Sequence, residues 1–439
     1  MLRALTPAWP DDSPWCLVVE DLAKPGFMQP PVPEGTLASF KNAVDTADDL
    51  DVLVTSKNHG VKQGQAGVSE PAFWIAGLVS LQTTAGFLGA GNYGVVRMNG
   101  GFATRPGIGL VPEGGPGARW TRDVRLHLRH RDWFFERLPQ FARDNGTALV
   151  WCRPWDGKQS MAVDQLDPWF IEISRRVRLV STARRVQALV TTSAVQRIGA
   201  GALKGNVGDP WIPTNRQNDS AAYNSAPRYE IMASVLFDPA KWDLPLCLQF
   251  HKDIDKAPML ARFEVFVRGQ GKTEGYTVRD VPLTRQRLPW VASPDDRERL
   301  ATIARGMVEG VRILFGGKIM RTALLALVQG GPEAVKFGDK TATAWVDKLL
   351  ANADDEVDRT FFDHLFARAA DEEAGRRSWL LFLRALAVLT FERAIEALPV
   401  PGPRRLRAIA VAERIVWGGF YKTFPELAPK RAEEPVDVV

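Results

Sequence analysis

Cysteine is scarce in this sequence. Only Cys16, Cys152 and Cys247 occur among 439 residues, and they lie far apart. They form no CxxC pair and no spacing typical of a zinc site, and they are too few for a disulfide framework. The sequence therefore predicts no bound metal, and free thiols of this kind suit a reducing compartment.

Long apolar runs are also missing. No apolar stretch reaches the roughly 18 residues that indicate a membrane span. The N-terminal segment MLRALTPAWPDDSPW lacks the apolar core of a signal peptide. We therefore expect a cytoplasmic protein with no membrane partner.

Signatures of catalysis are absent from the sequence as well. Its five histidines form no HExxH motif, and no G-x-S-x-G segment occurs. His127 and His130 are three residues apart, but neighbouring arginines would repel a metal ion. We expect no catalytic residue and no cofactor, and hence no enzyme.

Acidic residues are missing from one long stretch. No Asp, Glu or Lys occurs from Pro71 to Pro112, and residues 86–109 contain eight glycines among 24 positions. Glycine lets a backbone approach a ligand closely, and a lack of acids favours a polyanionic ligand. Arg97 and Arg105 would supply positive charge for phosphate contacts.

A nucleotide-binding enzyme that uses residues 86–109 is an alternative interpretation. GAGNYG at 89–94 fits G-x-G-x-x-G, but a dinucleotide site needs a strand before this motif and a helix after it. The preceding segment is predicted to be helical, and the glycines and proline that follow oppose a helix. GQGKT at 269–273 has Phe266 where a phosphate loop needs its first glycine.

The chain changes character near residue 290. Short mixed segments with many Pro, Gly and Trp residues come before it, with strand-like pieces in 177–198 and 262–270. After Pro294 the pattern is helical almost to the end, although 341–371 is expected to be broken. The sequence predicts an α+β protein: a mixed α/β N-terminal domain over 1–290 and a four-helix bundle over 291–439.

Two further segments are cationic. TSKNHGVKQGQ at 55–65 is a polar loop, and SRRVRLVSTARR at 174–185 holds five arginines, of which we expect Arg175 and Arg176 to contact phosphates. Residues 113–204 as a whole carry 16 Lys or Arg against nine Asp or Glu. Basic and glycine-rich loops on one mixed domain favour a nucleic-acid ligand.

The order of these segments resembles the large subunit of the type I-E CRISPR surveillance complex, Cascade (the CasA family). The similar segments are a C-terminal helical bundle and, before it, PGFMQ at 25–29, LVSLQTTAGFLGAGNYG at 78–94, MNGGFATRPGIGL at 98–110, WFIEISRRVRL at 169–179 and FVRGQGKTEGY at 266–276. They cover nearly the whole chain in the same order. Some members also carry a zinc-binding cysteine cluster, which this chain lacks.

The resemblance implies a subunit without catalytic activity. In that family the large subunit recognises a protospacer-adjacent motif in duplex DNA from the minor groove. It starts strand separation and R-loop formation, and it recruits a separate helicase-nuclease. The implied partners are double-stranded DNA, the CRISPR guide RNA and the other Cascade subunits. A purely structural scaffold subunit, with no loop touching a base, is the remaining alternative.

The resemblance also implies roles for individual residues. Gln270 would be the wedge at a hairpin tip, followed by Lys272, and Lys158 would be the lysine that enters the groove. A loop before the glycine-rich stretch would contact the guide RNA and a neighbouring subunit through Lys57, Asn58, His59 and Lys62. The glycine loop that reads the motif corresponds to Gly86, Phe87, Leu88, Gly89, Ala90, Gly91 and Asn92.

Overall fold

The computed structural model describes residues 2–52, 70–98, 105–183, 185–221, 226–256, 258–269, 272–400 and 402–429. The chain divides into two compact units. The first unit comprises Met1–Pro227 and Asp238–Ala292, and the second comprises Arg228–Phe237 and Ser293–Val439.

The helices and strands are consistent with the α+β class expected from the sequence. The helices are α1 (Leu2–Leu5), α2 (Ala47–Leu50), α3 (Pro71–Thr84), α4 (Gly115–Arg129), α5 (Arg131–Arg137), α6 (Tyr229–Phe237), α7 (Leu288–Ala292), α8 (Pro294–Val311), α9 (Met320–Val328), α10 (Lys340–Ala370), α11 (Glu372–Glu396) and α12 (Gly402–Thr423). The strands are β1 (Asn42–Val44), β2 (Arg105–Pro112), β3 (Thr147–Leu149), β4 (Leu166–Ile171), β5 (Arg176–Ser181), β6 (Val186–Thr191), β7 (Thr214–Asn215), β8 (Trp242–Asp243), β9 (Met259–Gly269) and β10 (Lys272–Leu283).

One antiparallel sheet of the first unit has the strand order β1-β6-β5. Val177 and Leu179 of β5 are buried in one hydrophobic cluster with Trp74 and Leu78 of α3. Only one face of α3 is buried, because its apolar side chains Phe73, Ile75 and Val79 are exposed. Leu81 also packs against the cluster, which holds the C-terminal end of α3, where the glycine-rich loop begins.

Two buried glutamines join the early part of the chain to this sheet. The side chain of Gln29 donates to the carbonyl of Leu17 at 2.7 Å and accepts from the N–H of Leu179 at 2.6 Å. The side chain of Gln82 donates to the carbonyl of Met28 at 2.9 Å and accepts from the N–H of Arg175 at 2.8 Å. Because buried backbone groups need partners, these amides hold segments together that are distant in the sequence.

A second antiparallel sheet has the order β10-β9-β2. β9 and β10 form a hairpin in which Gly269 pairs with Lys272. β2 joins at the other side of β9, where Arg105 pairs with Phe266. The hairpin that the sequence predicts around Gln270 is thus present as two paired strands, while Gln270 lies outside the described residues.

Helices α6 and α8–α12 make up the second unit. The sequence-based division at residue 290 places α6 in the first domain, whereas the structure places it in the second unit. The structure groups α6 with the later helices because Arg228 forms ion pairs with Asp354 and Asp355, and the N–H of Tyr229 donates to Asp358 at 2.7 Å. α8 begins as predicted, with Ser293 accepting from the N–H of Asp296 and Pro294 in the first turn.

The prediction of a broken helix over 341–371 was wrong. α10 is one continuous helix of 31 residues, and it begins where the Asp339 side chain accepts from the N–H of Ala342. Asp371 ends α10 and caps the start of α11. The interruption lies earlier, in a π-helical turn over Arg312–Gly317 between α8 and α9.

No helix in the described ranges combines the length and the apolar character needed to cross a membrane.

Candidate functional site

The glycine-rich loop is a closed backbone hairpin between α3 and β2. The N–H of Val95 donates to the carbonyl of Ala85 at 2.9 Å. Nearer the tip, the N–H of Leu88 donates to the carbonyl of Asn92, and the N–H of Asn92 donates to the carbonyl of Gly89, both at 3.0 Å. Phe87 and Leu88 are exposed. The tip therefore presents apolar side chains together with bare glycine backbone.

Two glycines of this loop have different structural requirements. Gly89 has φ +108°, and a Cβ there would meet nothing within 4 Å. Gly91 has φ +83°, and a Cβ there would lie 2.7 Å from the Cβ of Thr192. Packing alone thus explains glycine at 91. The open space beside Gly89 leaves room for a ligand to approach the backbone.

Arg175 fixes the loop from inside the protein. Its guanidinium donates to the carbonyl of Gly86 at 2.7 Å and also to the carbonyl of Tyr93, so it holds both arms of the loop. Arg175 is buried. Its expected role as a phosphate contact is therefore corrected to a structural one, because its charged group is directed to protein carbonyls.

Arg97 and Arg176 require the same correction. Arg97 is 7% exposed; it donates to the carbonyl of Phe170 at 2.8 Å, and its guanidinium lies 4.1 Å from that ring centre. Arg176 is buried and forms an ion pair with Glu34 at 2.7 Å. Arg105 pairs with Asp209 at 3.3 Å, but its side chain is 21% exposed. Of these arginines, only Arg105 remains a candidate for phosphate contact.

The turn that carries Lys158 is attached to the same segment as the glycine-rich loop. The carbonyl of Gly157 accepts from the N–H of Ala194 at 2.7 Å. The carbonyl of Gly91 accepts from the N–H of Ser193 at 3.0 Å, and the Tyr93 hydroxyl donates to the carbonyl of Ala194. Lys158 itself is exposed. The segment that follows β6 thus positions both predicted elements together.

The part of the β9–β10 hairpin near its turn packs beside the start of the loop. Phe266 is buried against Ala85 and Val52. Ala85 is also the residue whose carbonyl closes the loop. The wedge residue Gln270 lies outside the described residues, and Lys272 begins β10. The structure therefore brings the turn end of the hairpin and the start of the glycine-rich loop together.

The predicted guide-RNA loop lies outside the described residues. Lys57, Asn58, His59 and Lys62 all fall within 53–69, between α2 and α3. Their assigned role stays a prediction.

Glu172 is a site residue that the sequence analysis missed. One carboxylate oxygen accepts from the N–H of Val96 at 2.6 Å, directly after the loop. The other, Oε2, is buried and has no hydrogen-bond partner among the described residues. Burial raises the pKa of Glu172 to about 7, against the opposing effects of the Val96 N–H and of Arg97. An acid within the apolar run WFIEI was the available signal.

The described residues offer no arrangement for catalysis by a metal. Within those ranges, no group of three or more His, Cys, Asp or Glu side chains is placed to hold a metal ion. Burial raises the pKa of the Cys152 thiol to about 11, which disfavours the reactive thiolate. The glycine-rich loop instead exposes backbone and apolar side chains, and the turn bonded to the same segment exposes Lys158.

Comparison with known proteins shows which fold this is. No protein-family model matches the sequence, and no curated protein matches it. The structure is similar to CRISPR-associated protein Cse1 from Acidimicrobium ferrooxidans, with a TM-score of 0.58 and 17% identity over 92% of this chain and 80% of that one. It is also similar to CasA from Thermus thermophilus, with a TM-score of 0.56 and 15% identity over 94% and 81% of the two chains.

Cse1 from Thermobifida fusca aligns over 92% of this chain and 80% of its own, with 12% identity and a TM-score of 0.50. At these identities the likeness is one of fold. The resemblance to the CasA family that the order of segments indicates is confirmed at that level.

Proposed function

We propose that this chain is the non-catalytic large subunit of an RNA-guided CRISPR surveillance complex of type I-E. It recognises a protospacer-adjacent motif in duplex DNA from the minor groove, starts strand separation and R-loop formation, and recruits a helicase-nuclease. Its partners are target DNA, guide RNA and the other Cascade subunits, and it acts in the cytoplasm. The observation that carries the proposal is the placement of the glycine-rich loop beside the Lys158 turn and the turn end of the β9–β10 hairpin, within a Cse1/CasA fold.

The glycine-rich loop suits recognition in the minor groove. That groove is narrow, about 6 Å wide, so a bare backbone fits where side chains would collide. The open space beside Gly89 is on the tip, next to exposed Phe87 and Leu88. The minor groove separates A·T from G·C pairs but little more, so the motif should be permissive.

Two cations near the loop support binding to the DNA backbone. Lys158 is exposed on a turn that, like the glycine-rich loop, is hydrogen-bonded to residues 193–194. Arg105, at the start of β2, can supply a second positive charge. Lys57, Asn58, His59 and Lys62 are proposed to contact the guide RNA and the neighbouring subunit.

The proposal is tested with the reconstituted complex and two duplexes, one with the motif and one with it scrambled. We expect the complete complex to bind the first duplex more tightly, and the complex without this chain to bind both equally. Equal binding of both duplexes by the complete complex would refute motif recognition.

Gln270→Ala should slow R-loop formation on a fully paired target. Unstacking one base step costs a few kcal/mol, and a side chain that enters the step offsets part of that cost. A target mismatched beside the motif needs no such step, so the variant should form R-loops on it at the wild-type rate. The measurement is the R-loop rate on both targets; equal slowing on the two would show that Gln270 is not the wedge.

Lys272→Ala provides the contrasting variant. If Lys272 contacts a phosphate, its loss should weaken binding to both targets and reduce the salt dependence of binding by about one ion. An effect confined to the paired target would instead assign Lys272 to strand separation.

The alternative of a nucleotide-binding enzyme finds less support. The glycine-rich loop follows helix α3 rather than a strand, and the next described helix, α4, begins only at Gly115. A dinucleotide site requires a helix that opens directly after the glycines. We expect the purified chain to bind neither ATP nor NAD in calorimetry and to show no magnesium-dependent cleavage of DNA; tight binding of either nucleotide would favour the enzyme.

A further inference from the structure

A polar cleft of about 660 Å³ lies in the first unit, next to the Lys158 turn. Asp156, Gln159 and Ser160, which stand on both sides of Lys158 in the sequence, form part of its wall. Arg153 and Arg197 line it as well. None of these lining residues entered the sequence-based assignment of the site.

Arg197 is a buried cation that pairs with no carboxylate in the described ranges. It is 4% exposed, and no Asp or Glu among those residues lies within ion-pair distance of it. Its guanidinium donates to the carbonyl of Arg153 at 3.0 Å and lies 5.4 Å from the ring centre of Trp155, while its Nε has no hydrogen-bond partner in the same ranges. Burial lowers the pKa of Arg197 to about 10, and the charge of Asp156 opposes this effect only in part. A buried charge of this kind is costly unless an anion compensates it.

Arg153 adds a second cation at the rim. It is exposed, and its Nε donates to the Thr147 hydroxyl at 3.2 Å. Among the described residues of the wall the only acid is Asp156, whose carboxylate accepts from the backbone N–H of Lys158 at 2.8 Å. Two arginines and one carboxylate thus line the cleft, and Lys158 is exposed on the adjoining turn, so the local charge favours an anion.

We propose that this cleft binds a phosphate group of the DNA backbone beside the motif. Guanidinium groups match phosphate oxygens in planar, paired hydrogen bonds, and Arg153 and Arg197 provide two such groups. The volume lies within the range of nucleotide-sized ligands. Asn145, Gln159 and Gln165 offer neutral amides to the attached sugar. This inference rests on the proposed function and adds a strand contact that Arg175 and Arg176 cannot make, because protein carbonyls and Glu34 occupy their guanidinium groups.

The test compares Arg153→Gln with Arg143→Gln in the reconstituted complex. Both arginines are exposed, and Arg143 is engaged elsewhere, with Asp132 at 2.8 Å. We expect Arg153→Gln to weaken binding to motif-bearing and scrambled duplexes by about tenfold each, since a charged hydrogen bond contributes that much. The slope of log affinity against log salt should fall by about one. Arg143→Gln should leave both quantities unchanged.

Arg197→Lys serves as a second variant, because it keeps the charge and loses the planar fork. Arg197→Lys should weaken binding to both duplexes, as Arg153→Gln does. Its melting temperature should show that the chain still folds. An unchanged salt slope in Arg153→Gln would overturn the inference, as would a change of equal size in Arg143→Gln.

A thermal-shift arm distinguishes the backbone phosphate from free phosphate. The full chain is melted in sodium phosphate and in sodium chloride of equal ionic strength. A reduced salt slope in Arg153→Gln supports the inference whether or not phosphate raises the melting temperature. Stabilisation by phosphate that depends on Arg153, combined with an unchanged slope, would assign the cleft to a free anion and overturn the DNA contact. Failure of the wild-type complex to prefer the motif would refute the proposed function separately, since the slope is read on both duplexes.

Discussion

Gly89→Val should reduce binding to a motif-bearing duplex by at least tenfold while the chain remains folded. Valine at φ +108° adds backbone strain on the order of 1–2 kcal/mol. A Cβ at this position meets nothing inside the protein within 4 Å, so the substitution starts into open space and does not displace packed atoms. The added bulk stands on the surface that we propose to enter the minor groove, and the loss should therefore appear in binding. The measurement is affinity of the reconstituted complex, with the melting temperature of the same preparation.

Gly115→Val is the matched control for backbone strain. Gly115 also has a positive φ, +79°, a Cβ there would meet nothing within 4 Å, and the residue is exposed. It follows the end of β2 that is opposite to Arg105. This variant should bind DNA like the wild type. If Gly89→Val and Gly115→Val bind equally well, the tip of the loop is not an interface.

Gly91→Val separates packing from binding within the same loop. Its side chain would collide with Thr192, where a Cβ already comes within 2.7 Å. Overpacking of this kind costs about 1–3 kcal/mol in addition to the strain at positive φ. We expect a clearly lower melting temperature for Gly91→Val than for Gly89→Val, so a binding loss at 91 alone would carry no information about DNA.

Local signals in the sequence predicted much of the fold. The Ser293 cap, the proline after it and the acids of the first turn are contacts between near neighbours, and α8 begins there. The helix over α3 and the strands within 177–198 also follow from local pattern. The α+β class depends only on such patterns and on the change of composition near residue 290.

The arginines could not be assigned from local pattern. A run such as SRRVRLVSTARR is basic in sequence, but β5 is buried along most of its length. Arg178 donates to the carbonyls of Val19 and Asp21, and Arg175 to those of Gly86 and Tyr93. These partners are distant in sequence, so their positions follow from the tertiary fold alone.

The continuity of α10 has a similar explanation. The sequence of 341–371 predicts two shorter helices or a broken one, but α10 is continuous and includes Asp354 and Asp355. In the structure both acids form ion pairs with Arg228, which precedes α6. A contact across more than 120 residues thus stabilises a segment whose local sequence argues for interruption.

Some residues in the segments that carry the family resemblance have a packing role. Gln29 in PGFMQ and Gln82 in LVSLQTT are buried amides that bridge to β5 and to the backbone around Ser174. Replacing either would leave buried backbone groups without partners, which costs about 1–3 kcal/mol per group. Similarity at these positions therefore supports the fold, and the proposed DNA contacts must be argued from the exposed tip.

Glu172→Gln should change how the stability of the chain depends on pH. The pKa of Glu172 rises from its ordinary 4.5 to about 7 in the folded chain because the carboxyl is buried. Between these values the folded chain holds a proton that the unfolded chain has released. The folded state binds more protons, so this group lowers the free energy of unfolding as pH rises from 4.5 through 7.

Glu172→Gln removes the titratable group. The glutamine side chain keeps an oxygen that can accept from the N–H of Val96, as the Glu172 carboxylate does at 2.6 Å. Relative to wild type, Glu172→Gln should gain stability between pH 4 and pH 8, by an amount on the order of 3 kcal/mol. The measurement is denaturant unfolding of both proteins across that range.

Glu426→Gln provides a control of opposite sign. Burial acts to raise the pKa of Glu426, but hydrogen bonds from the backbone and from Arg376 and the charge of Arg376 outweigh it, so the pKa is lowered. Glu426 thus contributes stability above its ordinary pKa, and that contribution is lost as pH falls. Glu426→Gln should therefore lose stability relative to wild type as pH rises, the reverse of Glu172→Gln.

Parallel profiles for Glu172→Gln and wild type would mean that Glu172 ionises at its ordinary pKa in the folded chain. The Arg97 guanidinium would then compensate the buried carboxylate fully, and the free energy of the loop end would not depend on protonation.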